Sequence, residues 1–340
     1  MRKILEKLLA GNHLTREESK QFMEEIILGN VPPHQVTAFM VGLKVLGETT
    51  EEIIGMVEAM REQAKTPFQI NGPLLDTCGT GGDGSGTINV STAAALIAAS
   101  GGIKVAKHGN RAVSGKSGSA DVLEAMDIPI QQSPEDLEQL LNEENIAFLY
   151  APIFHQGMKH AAISRKELGI RTVFNVLGPL SNPLKADHQV MGVYHPNLTE
   201  PIAKVLQGLG VKRALVVSGL DGMDEITMTN ETKVTELRDG EIQTYFVTPE
   251  QFGFTRSSLS DLQGDTPQEN AKDLLDIFKG KKGPKRDFIL INAGASFYVT
   301  GKAKNIAEGI ELAKELVDTG KVYQKILKLQ RFSKKVDHVS

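Results

Sequence analysis

The sequence has a single cysteine, no long apolar run and no excess of charge of one sign. Cys78 alone excludes an internal disulfide and a cysteine-rich zinc site, which favours a reducing compartment. No stretch approaches the roughly 18–20 apolar residues of a membrane span, and the charged start Met1-Arg2-Lys3 is not followed by the apolar segment of a signal peptide. We therefore expect a soluble cytoplasmic protein with no membrane partner.

The balance of charge bears on the class of partner. Lys and Arg number 38 and Asp and Glu number 42, for a net charge of −4. This balance argues against a strongly basic nucleic-acid-binding protein. The 340 residues, 40% of them apolar, suffice for about two globular domains of roughly 100–200 residues each.

The first seventy residues show the pattern of short amphipathic helices. Thr15 with Glu18 and Thr49 with Glu52 form two capping boxes ahead of apolar residues at helical spacing. We predict a small helical domain over residues 1–70. Its apolar faces must pack on something, and a second subunit is one candidate.

Beyond Pro67 short apolar runs alternate with helical segments, which indicates an α/β fold with a largely parallel sheet. Residues 232–247 form two strand-like runs around Asp239-Gly240, which predicts an antiparallel hairpin. We predict an α/β domain over residues 71–340, with a mostly parallel, partly mixed sheet and a boundary near residues 65–72. The other strand candidates are residues 74–76, 103–106, 146–149, 189–194, 213–217 and 287–292.

A glycine-rich segment, residues 76–92, follows the first strand candidate and leads into an Ala-rich helix. Its glycines let the backbone approach an anion, and the helix start offers free N–H groups. We reject a dinucleotide-binding loop because the 37 residues from Gly84 to Ala120 include no Asp or Glu. We reject a P-loop because no Lys-Ser or Lys-Thr pair closes the segment. Asp83 beside a phosphate favours a sugar phosphate with Mg²⁺.

The same acid-free stretch contains Lys104, Lys107, Arg111 and Lys116, a local charge of +4. Lys107 ends a strand candidate, where α/β proteins build their sites, and a lysine suits pyrophosphate as a mobile point charge. His108 beside it is a candidate acid or base. A solvated surface loop is the alternative interpretation, but the neighbouring glycine segment favours a loop that covers phosphates.

An acidic pair, Asp224-Glu225, follows another strand candidate. Such a pair is often only a polar turn, yet a diphosphate substrate requires Mg²⁺ ligands, and this favours a metal site. His155 and His160 lie five residues apart on one apparent helix with Arg165. They therefore do not share a face, and we do not expect a zinc site. Arg165 either binds a carboxylate or covers the surface.

These motifs together resemble the anthranilate phosphoribosyltransferase family, of the class that also includes the pyrimidine nucleoside phosphorylases. The resemblance covers essentially the whole chain in family order, and the phosphorylases differ at both loops. Its pieces are Gly79-Thr-Gly-Gly-Asp83, Asn89-Val-Ser-Thr92, Lys107-His-Gly-Asn-Arg111, Gly118 to Ala125, Arg165 to Asn175, Gly178 to Pro183 and Asp221-Gly-Met-Asp-Glu225.

The resemblance implies a reaction in which the amine of anthranilate attacks C1 of the ribose of 5-phosphoribosyl diphosphate (PRPP), and diphosphate leaves with Mg²⁺. It implies two Mg²⁺ per subunit, with Ser91, Asp224 and Glu225 as metal ligands. It also implies a homodimer formed through the helical domain, which a later helical segment near residues 165–185 joins.

The resemblance further implies a role for each site residue. Gly79, Asn110 and Arg165 would contact anthranilate, and Arg165 would face its carboxylate. Lys107, His108 and Asn110 would act by electrostatics and positioning, with no side chain as nucleophile. The residues implied to hold PRPP are Gly79, Gly82, Asp83, Thr87, Asn89, Val90, Ser91, Thr92, Lys107, His108, Gly109, Asn110, Arg111, Ala112, Val113, Ser114, Gly115 and Ser119.

Three positions depart from the family pattern. Asp127 stands where a glycine is expected, Ile163 lies where a proline is expected nearby, and Ser218 stands where a histidine is expected. Because the last two lie near the implied sites, a related enzyme with another acceptor, such as a pyrimidine or a different aromatic amine, stays open. A non-catalytic phosphate-binding protein on the same fold also stays open, although the intact Lys107 and acidic pair count against it.

Overall fold

The computed structural model describes residues 1–64, 68, 70, 72–112 and 116–336. Its strands are β1 Leu75–Gly79, β2 Val105–Gly109, β3 Ile146–Tyr150, β4 His188–Gly192, β5 Arg213–Gly219, β6 Thr232–Arg238 and β7 Glu241–Val247. Its α-helices are α1 Arg2–Leu9, α2 Arg16–Ile27, α3 Pro33–Leu46, α4 Thr50–Gln63, α5 Val90–Ser100, α6 Ser119–Ala125, α7 Pro134–Glu143, α8 Ala151–Phe154, α9 Lys159–Leu168, α10 Phe174–Leu180, α11 Thr199–Gly208, α12 Leu259–Leu262, α13 Pro267–Phe278, α14 Pro284–Val299, α15 Ile306–Asp318 and α16 Lys321–Val336. Short 3₁₀ helices cover Gln156–Met158, Pro196–Leu198 and Pro249–Phe252.

Helices α2 and α4 begin where the capping signals place them. Thr15 caps α2 and Thr49 caps α4, and both capping boxes have both of their hydrogen bonds, as predicted. The apolar faces meet in a core in which the rings of Phe22 and Phe39 stack with centroids 4.2 Å apart. Helices α9 and α10, from far along the chain, pack on α2, α3 and α4. The boundaries of the domains stay a prediction.

The sheet has the strand order β3-β2-β1-β4-β5-β6-β7. The first five strands in this order are parallel, and β6 and β7 pair antiparallel at one edge, which confirms the predicted mixed sheet. Asp239 and Gly240 connect β6 and β7 with φ angles of +53° and +85°, the left-handed pair that a tight hairpin turn requires. Four of the five parallel strands, β1, β2, β4 and β5, end in glycine, so the backbone is least bulky where the site is expected.

One predicted strand is wrong. Residues 287–292 lie inside α14, which is buried on nearly every side and packs against α5 and α15. A helix that is apolar all round shows no 3.6-residue period, so its sequence reads like that of a buried strand. Gly294 lets α15 approach closely, since a Cβ atom there would lie 2.5 Å from the Ile310 side chain. Of the helices that the structure describes, none combines the length and apolar character needed to cross a membrane.

Candidate active site

The glycine-rich segment after β1 makes room for the carboxyl group of Asp224. A Cβ atom on Gly79 would lie 2.4 Å from Asp224 Oδ2, and one on Gly192 would lie 1.5 Å from the Asp224 carbonyl oxygen. Gly79 and Gly192 are register partners on β1 and β4. Gly81 adopts a φ of +65°, and its N–H donates to Asp224 Oδ2 at 2.6 Å. The glycines that end β1 and β4 therefore leave space for Asp224, which lies in the loop after β5.

Asp224 is buried and Glu225 is half-buried, and their carboxyl groups repel one another. Burial, and then the charge of nearby Asp83, raises the pKa of Asp224 to about 6. Burial, and then the charge of Asp224, raises the pKa of Glu225 well above its usual range. A divalent cation would offset both effects, so this donor set fits Mg²⁺.

The candidate metal-binding group is small. Among the residues that the structure describes, no group of three or more His, Cys, Asp or Glu side chains is arranged to hold a metal ion. Mg²⁺ is typically held by one or two carboxylates together with substrate phosphates and water, and needs no cage made of protein alone. The pair at 224 and 225 therefore suits a cation that arrives with a phosphate.

Lys107 lies on β2 with its side chain beneath the glycine segment. Its Nζ donates to the Thr77 carbonyl oxygen at 2.6 Å and to Ser91 Oγ at 3.3 Å. Burial lowers the pKa of Lys107, and the charges of Asp76 and Glu225 oppose that shift. The structure thus brings together Lys107, Ser91 and the acidic pair, as the sequence predicts for a phosphate and metal site.

Helix α5 begins at this site with an unusual cap. The side chain of Asn89 makes no capping hydrogen bond to the helix. Its Oδ1 accepts instead from Ser117 Oγ at 3.1 Å and from Asn270 Nδ2 at 3.0 Å. The first N–H groups of a helix have no partner within the helix. At the start of α5 the Val90 N–H donates to the Ile88 carbonyl oxygen at 2.7 Å, and the Ser91 N–H faces the Glu225 carboxyl group and opposes the rise of its pKa, which places the acidic pair at this helix end. Thr87 pairs with Gln263 as an isolated bridge beside it.

The segment after β2 carries less free positive charge than the sequence suggests. Arg111 donates to Asp121 at 3.0 Å and to Glu124 at 2.5 Å, two acidic residues just beyond the acid-free stretch. Lys116 pairs with Asp265 at 2.5 Å. Gly109 approaches Ser119 closely, since a Cβ atom there would lie 2.3 Å from Ser119 Oγ. Val113, Ser114 and Gly115, also predicted to hold PRPP, lie outside the described residues.

Two histidines, the buried His108 and the half-buried His155, line the other side of the Lys107 strand. His108 Nδ1 lies 3.2 Å from the Gly178 carbonyl oxygen, and His155 Nε2 lies 2.9 Å from the Ser181 carbonyl oxygen. Because a carbonyl only accepts, both of these ring nitrogens carry hydrogen. Burial lowers the pKa of His108 to about 3 and that of His155 to about 4, so both rings are neutral near pH 7. The rings meet edge to face with centroids 5.1 Å apart.

The single helix predicted to carry His155, His160 and Arg165 is wrong. The chain breaks there into α8, the 3₁₀ helix Gln156–Met158 and α9. A Cβ atom on Gly157 would lie 2.4 Å from the Ile27 side chain, so the break lets this segment press against α2. His160 lies instead against Gly29. The break separates His155, which faces His108, from Arg165.

Arg165 lies half-buried on α9 with its guanidinium 5.9 Å from the centre of the Phe174 ring. Burial lowers its pKa. In the described ranges no carboxylate lies within 4.0 Å of it, in contrast to Arg111. A partly desolvated guanidinium of this kind favours a planar carboxylate as ligand. The backbone of Asn110 holds the start of α6, and its side chain is exposed.

Comparison with known proteins shows the family of the chain. The family described as "Glycosyl transferase family, a/b domain" matches residues 71–323, and its helical bundle domain matches residues 2–64. An anthranilate phosphoribosyltransferase of Brevibacillus brevis is 51% identical over 337 residues, which cover 99% of this chain and 98% of the relative. The chain belongs to the anthranilate phosphoribosyltransferase family. It is an enzyme of the glycosyltransferase class, and the resemblance drawn from the sequence is confirmed.

Solved structures of that family share the fold. The enzyme of Thermus thermophilus superposes with a TM-score of 0.92 at 43% identity, over 97% of this chain and 99% of the other. The enzyme of Saccharomyces cerevisiae, solved in complex with PRPP and Mg, has a TM-score of 0.89 at 28% identity, over 98% and 97% of the two chains. The yeast enzyme has also been solved with 4-fluoroanthranilate, and that structure has a TM-score of 0.88.

The three departures from the family pattern have different structural settings. Asp127 follows α6 with a φ of +57°, a left-handed conformation in which a glycine is the ordinary choice. Ile163 is exposed on α9, and its neighbour Ser164 donates to the Pro33 carbonyl oxygen at 2.8 Å. Ser218 is fully buried near the end of β5, and its hydroxyl has no partner among the described residues.

Several site residues were missed by sequence reasoning. Asp76 is fully buried and accepts from the His108 N–H at 3.2 Å and from Asn182 Nδ2 at 2.8 Å. Arg171 donates to the Gly82 carbonyl oxygen and lies 4.6 Å from the centre of the Tyr194 ring. A buried aspartate inside a strand is the one local signal that could have drawn attention to Asp76, since an isolated charge there needs a partner. Nothing local marks Asn182 or Arg171.

Proposed function

We propose that this protein transfers the 5-phosphoribosyl group of PRPP to the amine of anthranilate, with release of diphosphate. The product is N-(5-phosphoribosyl)anthranilate, and the reaction is the second step from chorismate to tryptophan. The observation that carries the proposal is the placement of Asp224 and Glu225 against the glycine segment, with Lys107 and Ser91 beside them. The complexes named for the yeast relative support the choice of PRPP, Mg and an anthranilate as ligands.

The donor side holds the charge. We propose that Ser91, Asp224 and Glu225 hold Mg²⁺, with two ions per subunit. Bound Mg²⁺ would neutralise the diphosphate and so make it a better leaving group. Lys107 adds a buried positive charge at the same place, and the positive end of the α5 helix dipole acts in the same sense. We propose the same PRPP contacts for the other residues that the family resemblance implies.

The acceptor side holds the ring and its carboxylate. We propose an acceptor pocket bounded by Gly79, Asn110, His108, His155 and Arg165, and we keep the name acceptor pocket for this group. Arg165 would bind the carboxylate of anthranilate, and Gly79 and Asn110 would contact its ring and amine. The C1–O bond to diphosphate breaks while a C1–N bond forms, and the amine then loses a proton to solvent. An arylamine is largely unprotonated at neutral pH, so positioning and electrostatics suffice without a strong base.

We propose that the protein is a homodimer through its helical domain. Leu9 on α1 and Val45 on α3 are 61% and 79% exposed, and Val41 lies one turn before Val45. Leu9 packs near Gly42, so these side chains form one apolar patch. Leu9→Glu with Val45→Glu should convert a dimer to a monomer in light scattering. A dimer that survives both changes would place the interface elsewhere.

The test of function is direct. Purified protein with Mg²⁺, PRPP and anthranilate should consume anthranilate, which is followed by the loss of its fluorescence. If anthranilate persists while a pyrimidine or another aromatic amine is consumed, the related enzyme with another acceptor is correct. If PRPP binds and no acceptor is turned over, the non-catalytic phosphate-binding protein is correct.

A further inference from the structure

The carboxyl-terminal end of α10 is held by side chains from four other elements. The last carbonyl groups of a helix have no partner within the helix and must find one elsewhere. The carbonyls of the last three residues of α10 and of Ser181, the residue after it, each accept a hydrogen bond from a buried or half-buried side chain, and that of Gly178 also accepts from the Ser181 N–H at 3.1 Å. In order, the acceptors Gly178, Pro179, Leu180 and Ser181 pair with His108 at 3.2 Å, Gln189 at 2.8 Å, Arg61 at 3.0 Å and His155 at 2.9 Å.

Two of these four donors belong to no part of the proposed chemistry. Arg61 lies on α4 of the helical region and is 7% exposed, and burial lowers its pKa to about 10. Gln189 lies on β4, is 3% exposed and is the register partner of Asp76 on β1. Leu180 is 119 residues from Arg61 in sequence, so this hydrogen bond joins two distant parts of the chain.

Helix α10 connects the two ends of the acceptor pocket. Phe174 at its start lies under the guanidinium of Arg165, and Gly178 near its end accepts from His108. A shift of this short helix along its axis would move Arg165 and His108 relative to one another. A displacement of about 1 Å in a group that orients a substrate can cost on the order of a hundredfold in rate.

We propose that Arg61 and Gln189 are positioning residues for the acceptor pocket. By holding the carbonyls of Leu180 and Pro179 they fix α10, and with it the distance between Arg165 and His108. The inference rests on the proposed function for the identity of the acceptor. It assigns no contact with substrate to either residue. It gives the helical region a part in acceptor binding through Arg61.

The variants are Arg61→Met and Gln189→Met, which remove the donor and keep much of the length. In each we expect the KM for anthranilate to rise about tenfold, as for a hydrogen bond lost in a buried site, with the KM for PRPP within about twofold. Arg61→Lys keeps one donor and should restore most of the affinity. Arg286→Met is the matched control, because Arg286 is a buried arginine on α14 that pairs with Asp318 on α15. It should lower the thermal stability and leave both KM values unchanged.

A second measurement does not depend on the acceptor. Hydrogen exchange of the ring N–H groups of His108 and His155, followed by nitrogen NMR, should be faster in Arg61→Met and Gln189→Met than in the wild type. Unchanged exchange, or an equal rise in both KM values, would overturn the proposal. If the wild-type protein left anthranilate unconsumed, the proposed function would fall, and exchange would still decide whether the two residues hold α10.

Discussion

The donor and acceptor sides of the site solve opposite electrostatic problems. On the donor side, burial raises the pKa of Asp224 and of Glu225, which disfavours their ionised forms. On the acceptor side, burial lowers the pKa of His108 and of His155, which disfavours their protonated forms. An added cation would therefore stabilise the first side, whereas the second is already neutral and bound to backbone carbonyls. Under the proposed function, charge would select the donor and geometry would select the acceptor.

The largest effect should come from removing the donor-side charge. Asp224→Asn with Glu225→Gln should reduce turnover on the order of a thousandfold or more and abolish its dependence on Mg²⁺, because the cation loses its carboxylates. The fold should survive, since the change removes repulsion between buried groups. Turnover against Mg²⁺ concentration and thermal unfolding without metal are the measurements. Activity that keeps the wild-type Mg²⁺ dependence would remove the pair from the metal site.

Substitution on the acceptor side should have a smaller effect, and that effect should fall mainly on the KM for anthranilate. Arg165→Ala should raise the KM for anthranilate about tenfold and change the KM for PRPP far less, because the guanidinium would lose a carboxylate partner. Steady-state kinetics with each substrate varied in turn measure the split. Arg256→Ala is a suitable control, since Arg256 pairs with Glu250 at the surface. A larger change for PRPP would place Arg165 on the donor side.

The two sides should also respond to pH in opposite directions when no metal is present. The pKa of Asp224 is near 6 in the folded state and about 4 when unfolded, so its contribution to stability is present at pH 4 and lost as the pH rises through 6. The pKa of His155 is near 4 folded and about 6.5 unfolded, so its contribution is lost as the pH falls from 6.5 towards 4.

Urea unfolding at pH 4.5, 5.5 and 6.5 without metal tests this contrast. Relative to the wild type, the free energy of unfolding of Asp224→Asn should rise by up to about 2 kcal/mol as the pH rises. The free energy of unfolding of His155→Gln should exceed that of the wild type most at the lowest pH. Parallel stability profiles for the two variants and the wild type would contradict the assigned shifts.

The smallest expected effect comes from a substitution at Asp127, which lies on neither the donor side nor the acceptor side. Asp127→Gly should raise the free energy of unfolding by about 0.5–1 kcal/mol, because glycine tolerates the φ of +57° that Asp127 adopts. Activity should not change. Chemical denaturation is the measurement, and a destabilised Asp127→Gly variant would show that the aspartate side chain has a role in the turn.

Local features were predictable and long-range ones were not. The capping boxes at Thr15 and Thr49 and the Asp239-Gly240 turn depend on residues within four positions, so the sequence alone indicates them. Helix α14 was misread because burial on all sides removes the period that distinguishes a helix from a strand.

Within the candidate site, the glycine segment and the acidic pair were found because their residue types are unusual at those places. The roles of Gln189, Asn182 and Arg61 could not be found, because each depends on a carbonyl or a carboxylate supplied by a distant strand or helix. A polar residue in a buried segment indicates that a hydrogen-bond partner exists, but the sequence does not indicate which residue supplies it.

The glycines at positions 79 and 192 limit which substitutions a redesign of this enzyme can use. Adding a single methyl group at either position would displace the backbone or the carboxylate of Asp224. Libraries that aim at new acceptors should therefore keep glycine at both positions, since any larger residue there would disturb Asp224 before it altered the choice of acceptor.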